Sequence, residues 1–314
     1  PFMTYVDCAN GVGSYNLLKL IKWKHFHNIR LVNTKTHLPE LLNYQCGSDF
    51  VCSWKTFPSS IQKYRNSGLY ASLDGDSDRI VFYFENEESQ FCLLDGDRII
   101  SLIIYYLTSI VPLSELEIGV VHTAYSNGNF ITYLHQKNIV TECVATGVKN
   151  LHRAALKYEI GIYFESNGHG TILFNNDICH LYPELTFLKK MCSQLIGDAL
   201  GDLCMVLTIL NNLQITPSEW YALYNEKPNL ISKIEITNQS NIYFETTPDQ
   251  KRLLKPQKLQ TNIDHLIKKY PECFIFIRPS GTENCLRYYI ECQDRNLLPE
   301  IEKKVLFYIQ CCYS

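Results

Sequence analysis

Short apolar runs that end on glycine-rich polar loops, with helical spacing between them, set the strongest limit on how this chain can fold. Thr4-Tyr5-Val6-Asp7 reads as a strand, Ala9-Asn10-Gly11-Val12-Gly13 as a loop, and Leu17, Leu18 and Ile21 as one face of a helix. Strand, glycine loop, helix is the opening of an α/β layer. A second strand is expected over 30–33, and a loop-rich stretch over 34–68 around Pro39, Gly47, Pro58 and Gly68. Strands over 69–73 and 80–84 follow, then an apolar helix ending near Pro112 and a strand over 118–123. The pattern echoes itself. Val6-Asp7-Cys8-Ala9 and Gly13 align with Val121-His122-Thr123-Ala124 and Gly128 at one constant offset. In each half an apolar strand then ends on a polar loop, residues 74–79 in the first and 165–170 in the second. Two similarly built α/β domains in tandem are the expected fold class. A helical pattern runs over 183–213. The remainder reads as a smaller α+β domain: a strand at 234–236, a helix near 263–270, strands at 274–277 and 286–291, and a last helix over 298–308. The expected boundaries are 1–94, 95–227 and 228–314.

Composition narrows the partners. With 46% hydrophobic and 19% charged residues the chain can bury ordinary cores, which excludes disorder over most of its length. A net charge of -3 argues against nucleic acid or an acidic membrane as partner. The longest apolar span, Ile99 to Val111, is too short for a membrane helix and contains Ser101, Thr108 and Ser109. The sequence opens Pro1-Phe2-Met3 without a visible signal peptide, and its start points to a piece of a longer protein. Thirteen scattered cysteines with no C-x-x-C pair read as reduced thiols of a cytoplasmic protein, and the nine histidines lack zinc spacing. Asn238-Gln239-Ser240 reads as a surface turn.

Three loops can carry chemistry. In Asp74-Gly75-Asp76-Ser77-Asp78-Arg79 three carboxylates share one turn and repel one another unless a cation neutralises them; hard oxygen ligands suit Mg²⁺. An EF-hand is excluded because Arg79 stands where that loop needs glycine and the flanks are β-like. An aspartyl nucleophile at Asp74 with Asp76 as its acid is the competing reading. Asp95-Gly96-Asp97-Arg98 opens a helix and reads as an N-cap. In Glu165-Ser166-Asn167-Gly168-His169-Gly170 a carboxylate and an amide suit a polyhydroxy ligand, and His169 can exchange a proton near neutrality. In Arg278-Pro279-Ser280-Gly281-Thr282-Glu283, with Arg287 beyond, guanidinium groups, hydroxyls and backbone N–H groups make an anion nest whose natural guest is a phosphate monoester. Together the three loops imply a phosphosugar held by several domains.

At these residues the chain resembles the α-D-phosphohexomutase superfamily, in its N-acetylglucosamine branch. The resemblance rests on 6–13, Cys46-Gly47-Ser48-Asp49-Phe50-Val51, 74–79, 146–152, 163–171, Gly197-Asp198-Ala199 and 278–283. It implies the second and third α/β domains of that family followed by its C-terminal α+β domain. It also implies interconversion of N-acetylglucosamine 6-phosphate and 1-phosphate, on the way to UDP-N-acetylglucosamine, through a phosphoserine and a bisphosphorylated intermediate. By the same resemblance Asp74, Asp76 and Asp78 hold Mg²⁺, Arg79 stabilises the transferring group, and His169 is the acid/base candidate. Glu165, Ser166 and Asn167 read the sugar, while Arg278, Pro279, Ser280, Gly281, Thr282 and Arg287 clamp the phosphate that stays. The chain contains no Ser-His pair. The serine-bearing N-terminal domain is therefore expected as a missing partner, without which this chain completes no mutase cycle. A shortened phosphosugar-binding protein is the other functional class.

Overall fold

The computed structural model describes residues 2–22, 28–65, 68–112, 115–174, 178–236 and 243–312; Asn238-Gln239-Ser240 lies outside them. In chain order the elements are β1 (Met3–Asp7), α1 (Gly13–Leu20), β2 (Ile29–Val32), α2 (Ser48–Trp54), β3 (Gly68–Leu73), β4 (Ile80–Glu85), β5 (Phe91–Leu94) and α3 (Gly96–Ile110). Then come β6 (Ile118–His122), α4 (Gly128–Gln136), β7 (Val140–Cys143), α5 (Val148–Ala155), β8 (Ile160–Phe164), β9 (Gly170–Phe174), α6 (Ile178–Leu181), α7 (Thr186–Met191), α8 (Ala199–Leu213) and α9 (Pro217–Tyr221). The last are β10 (Asn229–Glu235), β11 (Glu245–Thr246), β12 (Leu253–Lys255), α10 (Gln257–Lys269), β13 (Phe274–Pro279), β14 (Cys285–Glu291) and α11 (Leu298–Gln310). They form two compact units. One comprises Pro1–Val121, Leu134–Thr141 and His152–Tyr224; the other comprises His122–Tyr133, Glu142–Leu151 and Asn225–Ser314. Among the described residues no helix is long and apolar enough to cross a membrane.

The internal echo is realised as topology. One sheet runs β2-β1-β3-β4-β5 and another β7-β6-β8-β9, so the first four strands of each follow the same order. In both, the first strand is parallel to the third, and the third is antiparallel to the fourth. Gly13 opens α1 after β1, and Gly128 opens α4 after β6, at the two aligned positions. The polar loops 74–79 and 165–169 are therefore equivalent hairpin connections, β3 to β4 and β8 to β9.

The structure adds two elements and corrects one expectation. Within the loop-rich stretch 34–68, α2 forms over seven residues behind Gly47, whose φ of 86° no side chain would favour. Phe91–Leu94 is a fifth strand, paired with β4. The helical pattern over 183–213 is broken after Met191 and restarts at Ala199, where the Asp198 carboxylate caps the Leu200 and Gly201 N–H groups. The expected cap at Asp95 is present, its carboxylate accepting from Arg98 N at 3.2 Å. The buried face of α3 includes a cation. Arg98 is buried with its guanidinium 4.3 and 3.7 Å from the Tyr221 and Tyr224 ring centres, and its Nη1 donates to both of their carbonyls.

The second unit holds the antiparallel sheet β10-β14-β13. One face carries Ile275, Ile277, Leu286, Tyr288 and Ile290 into a core with Leu259, Ile263 and Leu266 of α10 and Ile301 and Val305 of α11. Because side chains alternate, residues two apart share the other face. There Phe276 stands opposite Tyr289, and Arg278 stands opposite Arg287.

In the first unit one buried carboxylate ties the loops to the sheet. Asp7 Oδ1 accepts from Ala9 N (3.0 Å) and Asn33 Nδ2 (2.7 Å), while Oδ2 accepts from Gly47 N (2.7 Å) and Ser72 Oγ (3.0 Å). Burial pushes its pKa up and those four donors pull it down, with burial the larger effect. Four donors call for a group that only accepts. Asp7→Asn turns one oxygen into a donor facing donors, and should cost about 2–3 kcal/mol of stability in urea unfolding. Unchanged stability would refute this role for Asp7.

Candidate functional site

The acidic loop is folded back on its own first carboxylate. Asp74 Oδ1 accepts from the backbone N–H of Asp78 (3.1 Å) and Arg79 (3.2 Å), and Ser77 takes the left-handed conformation that closes the turn (φ 65°). One oxygen from each of Asp74, Asp76 and Asp78 lies within 4.8 Å of the others. Asp74 is buried, Asp76 exposed and Asp78 half-buried. Burial, the hydrogen bond with Asp76 and the charges of Asp78 and Asp76 push the Asp74 carboxyl up to about 7, against the pull of Arg79. Arg79 answers part of that charge. Its Nε is 3.1 Å from Asp74 Oδ2 and 3.4 Å from Asp78 Oδ1, while its Nη1 donates to Asp49 Oδ2 at 2.6 Å. Crowded carboxylate oxygens of this kind fit a small hard dication. Flanking strands β3 and β4 leave the EF-hand without its helices.

The equivalent loop of the second sheet meets this one. Arg79 and His169 form an antiparallel bridge, and Ile80 N donates to Gly168 O at 3.3 Å. The crossing needs a glycine: Gly168 has φ +84°, and a Cβ there would lie 1.7 Å from Ile80 O. It sets His169 Nδ1 3.5 Å from Asp78 Oδ2. Within the loop Glu165 N donates to His169 O (2.9 Å), and His169 N to Asn167 Oδ1 (3.2 Å). The Asn167 carbonyl is thus taken by its own loop, and the amide nitrogen is what remains for a ligand. Glu165 and Asn167 are half-buried and Ser166 exposed. Asp74, Asp76, Asp78, Arg79, Glu165, Ser166, Asn167 and His169 accordingly share two touching loops. Sequence reasoning gave no role to Asp49 at the start of α2, or to Gly197, where a Cβ would lie 2.8 Å from the His169 ring. Their presence in the quoted similar stretches was the available signal.

In the second unit the register sets cations abreast. Arg278 pairs with Arg287, and Arg287 pairs with Lys233 of β10, so three basic side chains share one rung and one face. Like charges directly opposite destabilise a sheet. One carboxylate offsets them: Glu283 takes Lys233 Nζ at 2.9 Å and Arg287 Nη2 at 2.7 Å. Arg278 is buried; its Nε donates to Tyr125 Oη at 3.1 Å and its Nη1 to Pro279 O at 3.2 Å. In the loop beyond, Ser280 Oγ accepts from Glu283 N at 3.3 Å, Thr282 is exposed, and a Cβ on Gly281 would meet nothing within 4 Å. Excess positive charge beside an open backbone loop suits an anion. Neither Lys233 nor Tyr125 was legible as part of it, since register and tertiary packing bring them there.

Comparison with known proteins shows the family and the fold. The family models for domain II and domain III of phosphoacetylglucosamine mutase AMG1 match residues 2–81 and 95–215, and that for the phosphoglucomutase/phosphomannomutase C-terminal domain matches 242–306. Phosphoacetylglucosamine mutase 1 of Schizosaccharomyces pombe is 39% identical over 96% of this chain and 61% of its own length. The human phosphoacetylglucosamine mutase is 35% identical over 96% of this chain and 58% of its own. The chain thus spans about three fifths of the curated relatives it matches. The crystal structure of Aspergillus fumigatus N-acetylphosphoglucosamine mutase in complex with GlcNAc-6P and magnesium superposes with a TM-score of 0.91 at 35% identity, covering 98% of this chain and 66% of that one. A Burkholderia thailandensis phosphoglucomutase/phosphomannomutase family protein, 14% identical over 100% of this chain and 61% of its own, shares the fold with a TM-score of 0.67. The expected α/β tandem with a C-terminal α+β domain is the fold of these proteins, and the chain belongs to the phosphoacetylglucosamine mutase family of the α-D-phosphohexomutase superfamily.

Proposed function

We propose that this chain is the substrate-gripping part of a phosphoacetylglucosamine mutase, which interconverts N-acetylglucosamine 6-phosphate and N-acetylglucosamine 1-phosphate for UDP-N-acetylglucosamine synthesis. The observation that carries this reading is the convergence of three carboxylates within 4.8 Å, with Arg79 and His169 bridged beside them. In this reading the family's domains fall at 1–94, 95–227 and 228–314, and the phosphoserine belongs to a segment outside the chain. We place the protein in the cytoplasm, where its unpaired cysteines persist as thiols.

Phosphoryl transfer asks mainly for alignment and charge neutralisation. Asp74, Asp76 and Asp78 would hold Mg²⁺, which when bound supplies positive charge to the phosphoryl oxygens. Arg79, held by Asp49, directs its guanidinium at the transferring group. Glu165, Ser166 and Asn167 hydrogen-bond the sugar, and His169 moves a proton at a sugar hydroxyl. Arg278, Ser280, Gly281, Thr282 and Arg287, with Pro279 shaping the turn, retain the other phosphate, so that binding energy far from the reacting atoms pays for alignment.

Two measurements test this. A coupled mutase assay should find turnover in a version extended upstream through the serine-bearing segment and none in this chain alone. Asp76→Asn in the extended protein should lower kcat roughly 100-fold. Activity of the short chain by itself, or an Asp76→Asn protein as fast as its parent, would overturn the assignment. The second measurement is thermal unfolding against pH. Asp74 has its pKa raised from 3.8 to about 7 in the folded chain. Its contribution to metal-free stability is therefore complete below pH 3.8 and lost as pH rises through about 7. Mg²⁺ binds the ionised form, so the Mg²⁺-induced rise in Tm should be several degrees at pH 8, by about 2–4 °C per kcal/mol, and should shrink toward pH 5.5. A shift independent of pH would contradict the assignment of Asp74 as a ligand.

A further inference from the structure

Tyr125 is the side chain that fixes one edge of Arg278. It stands in the segment between β6 and α4, half-buried, on the same sheet face as the basic rung. Its ring packs edge-on against Phe276 (centroids 4.9 Å) and Tyr289 (6.1 Å), the aromatic pair one rung before Arg278 and Arg287. The segment itself is pinned at its far end. Glu291, buried at the end of β14, accepts from Gly128 N and from Tyr289 Oη, each at 2.8 Å. Asn127 exchanges hydrogen bonds with the Lys227 backbone, donating at 2.9 Å and accepting at 3.0 Å. Tyr125 Oη is thus a fixed acceptor, and it takes Arg278 Nε at 3.1 Å.

A guanidinium can grip an oxyanion through its Nε/Nη2 side or its Nη1/Nη2 end. With Nε on Tyr125 and one Nη1 hydrogen on Pro279 O, the side edge is closed. The end edge keeps Nη2, which carries no hydrogen bond among the described residues, beside an Nη1 that has a second hydrogen to give. Resting on the phosphate-clamp reading above, we propose that Tyr125 is a positioning residue that presents Arg278 end-on to the phosphate of the bound sugar. The hydroxyl acts by orientation alone: it touches the arginine, and its ring is already held by Phe276 and Tyr289.

The test is calorimetric titration of the chain with N-acetylglucosamine 6-phosphate, in a double-mutant cycle of Tyr125→Phe and Arg278→Lys. Phenylalanine keeps the ring packing, and lysine keeps the charge while lacking the Nε–H that the hydroxyl receives. Tyr125→Phe should weaken binding about 5- to 10-fold in the parent chain and less than about 2-fold beside Arg278→Lys, with Tm little changed. Equal weakening in both backgrounds would mark a merely structural hydroxyl and overturn the proposal. So would full affinity in Tyr125→Phe while Arg278→Lys binds weakly. If Arg278→Lys itself binds as tightly as the parent, the phosphate clamp falls, and this inference with it.

Discussion

The two hairpin loops of the first unit share a backbone bridge, and so close an approach is allowed only beside a residue without a side chain. Gly168 passes so close to the Ile80 carbonyl that no other residue fits, and its left-handed backbone is one that glycine adopts without strain. The bridge between Arg79 and His169 fixes both side chains relative to the three aspartates. Everything chemical in that unit depends on the crossing, because the two loops belong to different sheets.

How much of this could be read from the sequence follows from where each signal lies. The repeated strand-to-glycine pattern was legible because it is local in both halves, and equal strand order in the two sheets is its consequence. The acidic turn was legible because three carboxylates in alternation have few structural reasons to exist. Helix α2 was hidden by its brevity between Gly47 and Pro58, and β5 by lying directly against the Asp95 cap. The break before α8 was masked by Leu195 and Ile196, which continue an apolar pattern yet are strongly exposed. The contacts that Asp49, Lys233 and Tyr125 make in the site were illegible for a different reason. Each is defined by a partner distant in sequence, and pairing register is not written in any single segment.

The two charged clusters share a physical signature. In the acidic loop the Asp74 carboxyl is pushed far from its usual range by burial and like charge. In the basic rung Lys233, Arg287 and Arg278 stand side by side where a neutral or alternating set would be more stable. Each cluster is relieved only partly from within, by Arg79 in one and by Glu283 in the other. Each cluster by itself thus keeps charge that a bound ion of opposite sign would neutralise.

That residual charge also sets the basic rung apart from Asp7 and Arg98, two of the charged groups buried away from both clusters. Asp7 has its donors arranged around both oxygens, and Arg98 lies between two tyrosine rings with two carbonyls accepting from Nη1. Asp7 is fully partnered by groups fixed in the fold, whereas Arg98 keeps Nε and Nη2 buried without a hydrogen bond among the described residues. Arg278 is less deeply buried, 8% exposed against 1% for Arg98; its one side-chain acceptor is a neutral hydroxyl, and no carboxylate is paired with it among the described residues. A buried cation held in orientation without a counter-ion keeps most of its field for whatever anion enters, and a carboxylate in place of Tyr125 would cancel that field. A neutral hydroxyl is therefore the acceptor that fixes the direction of the guanidinium while leaving its charge available.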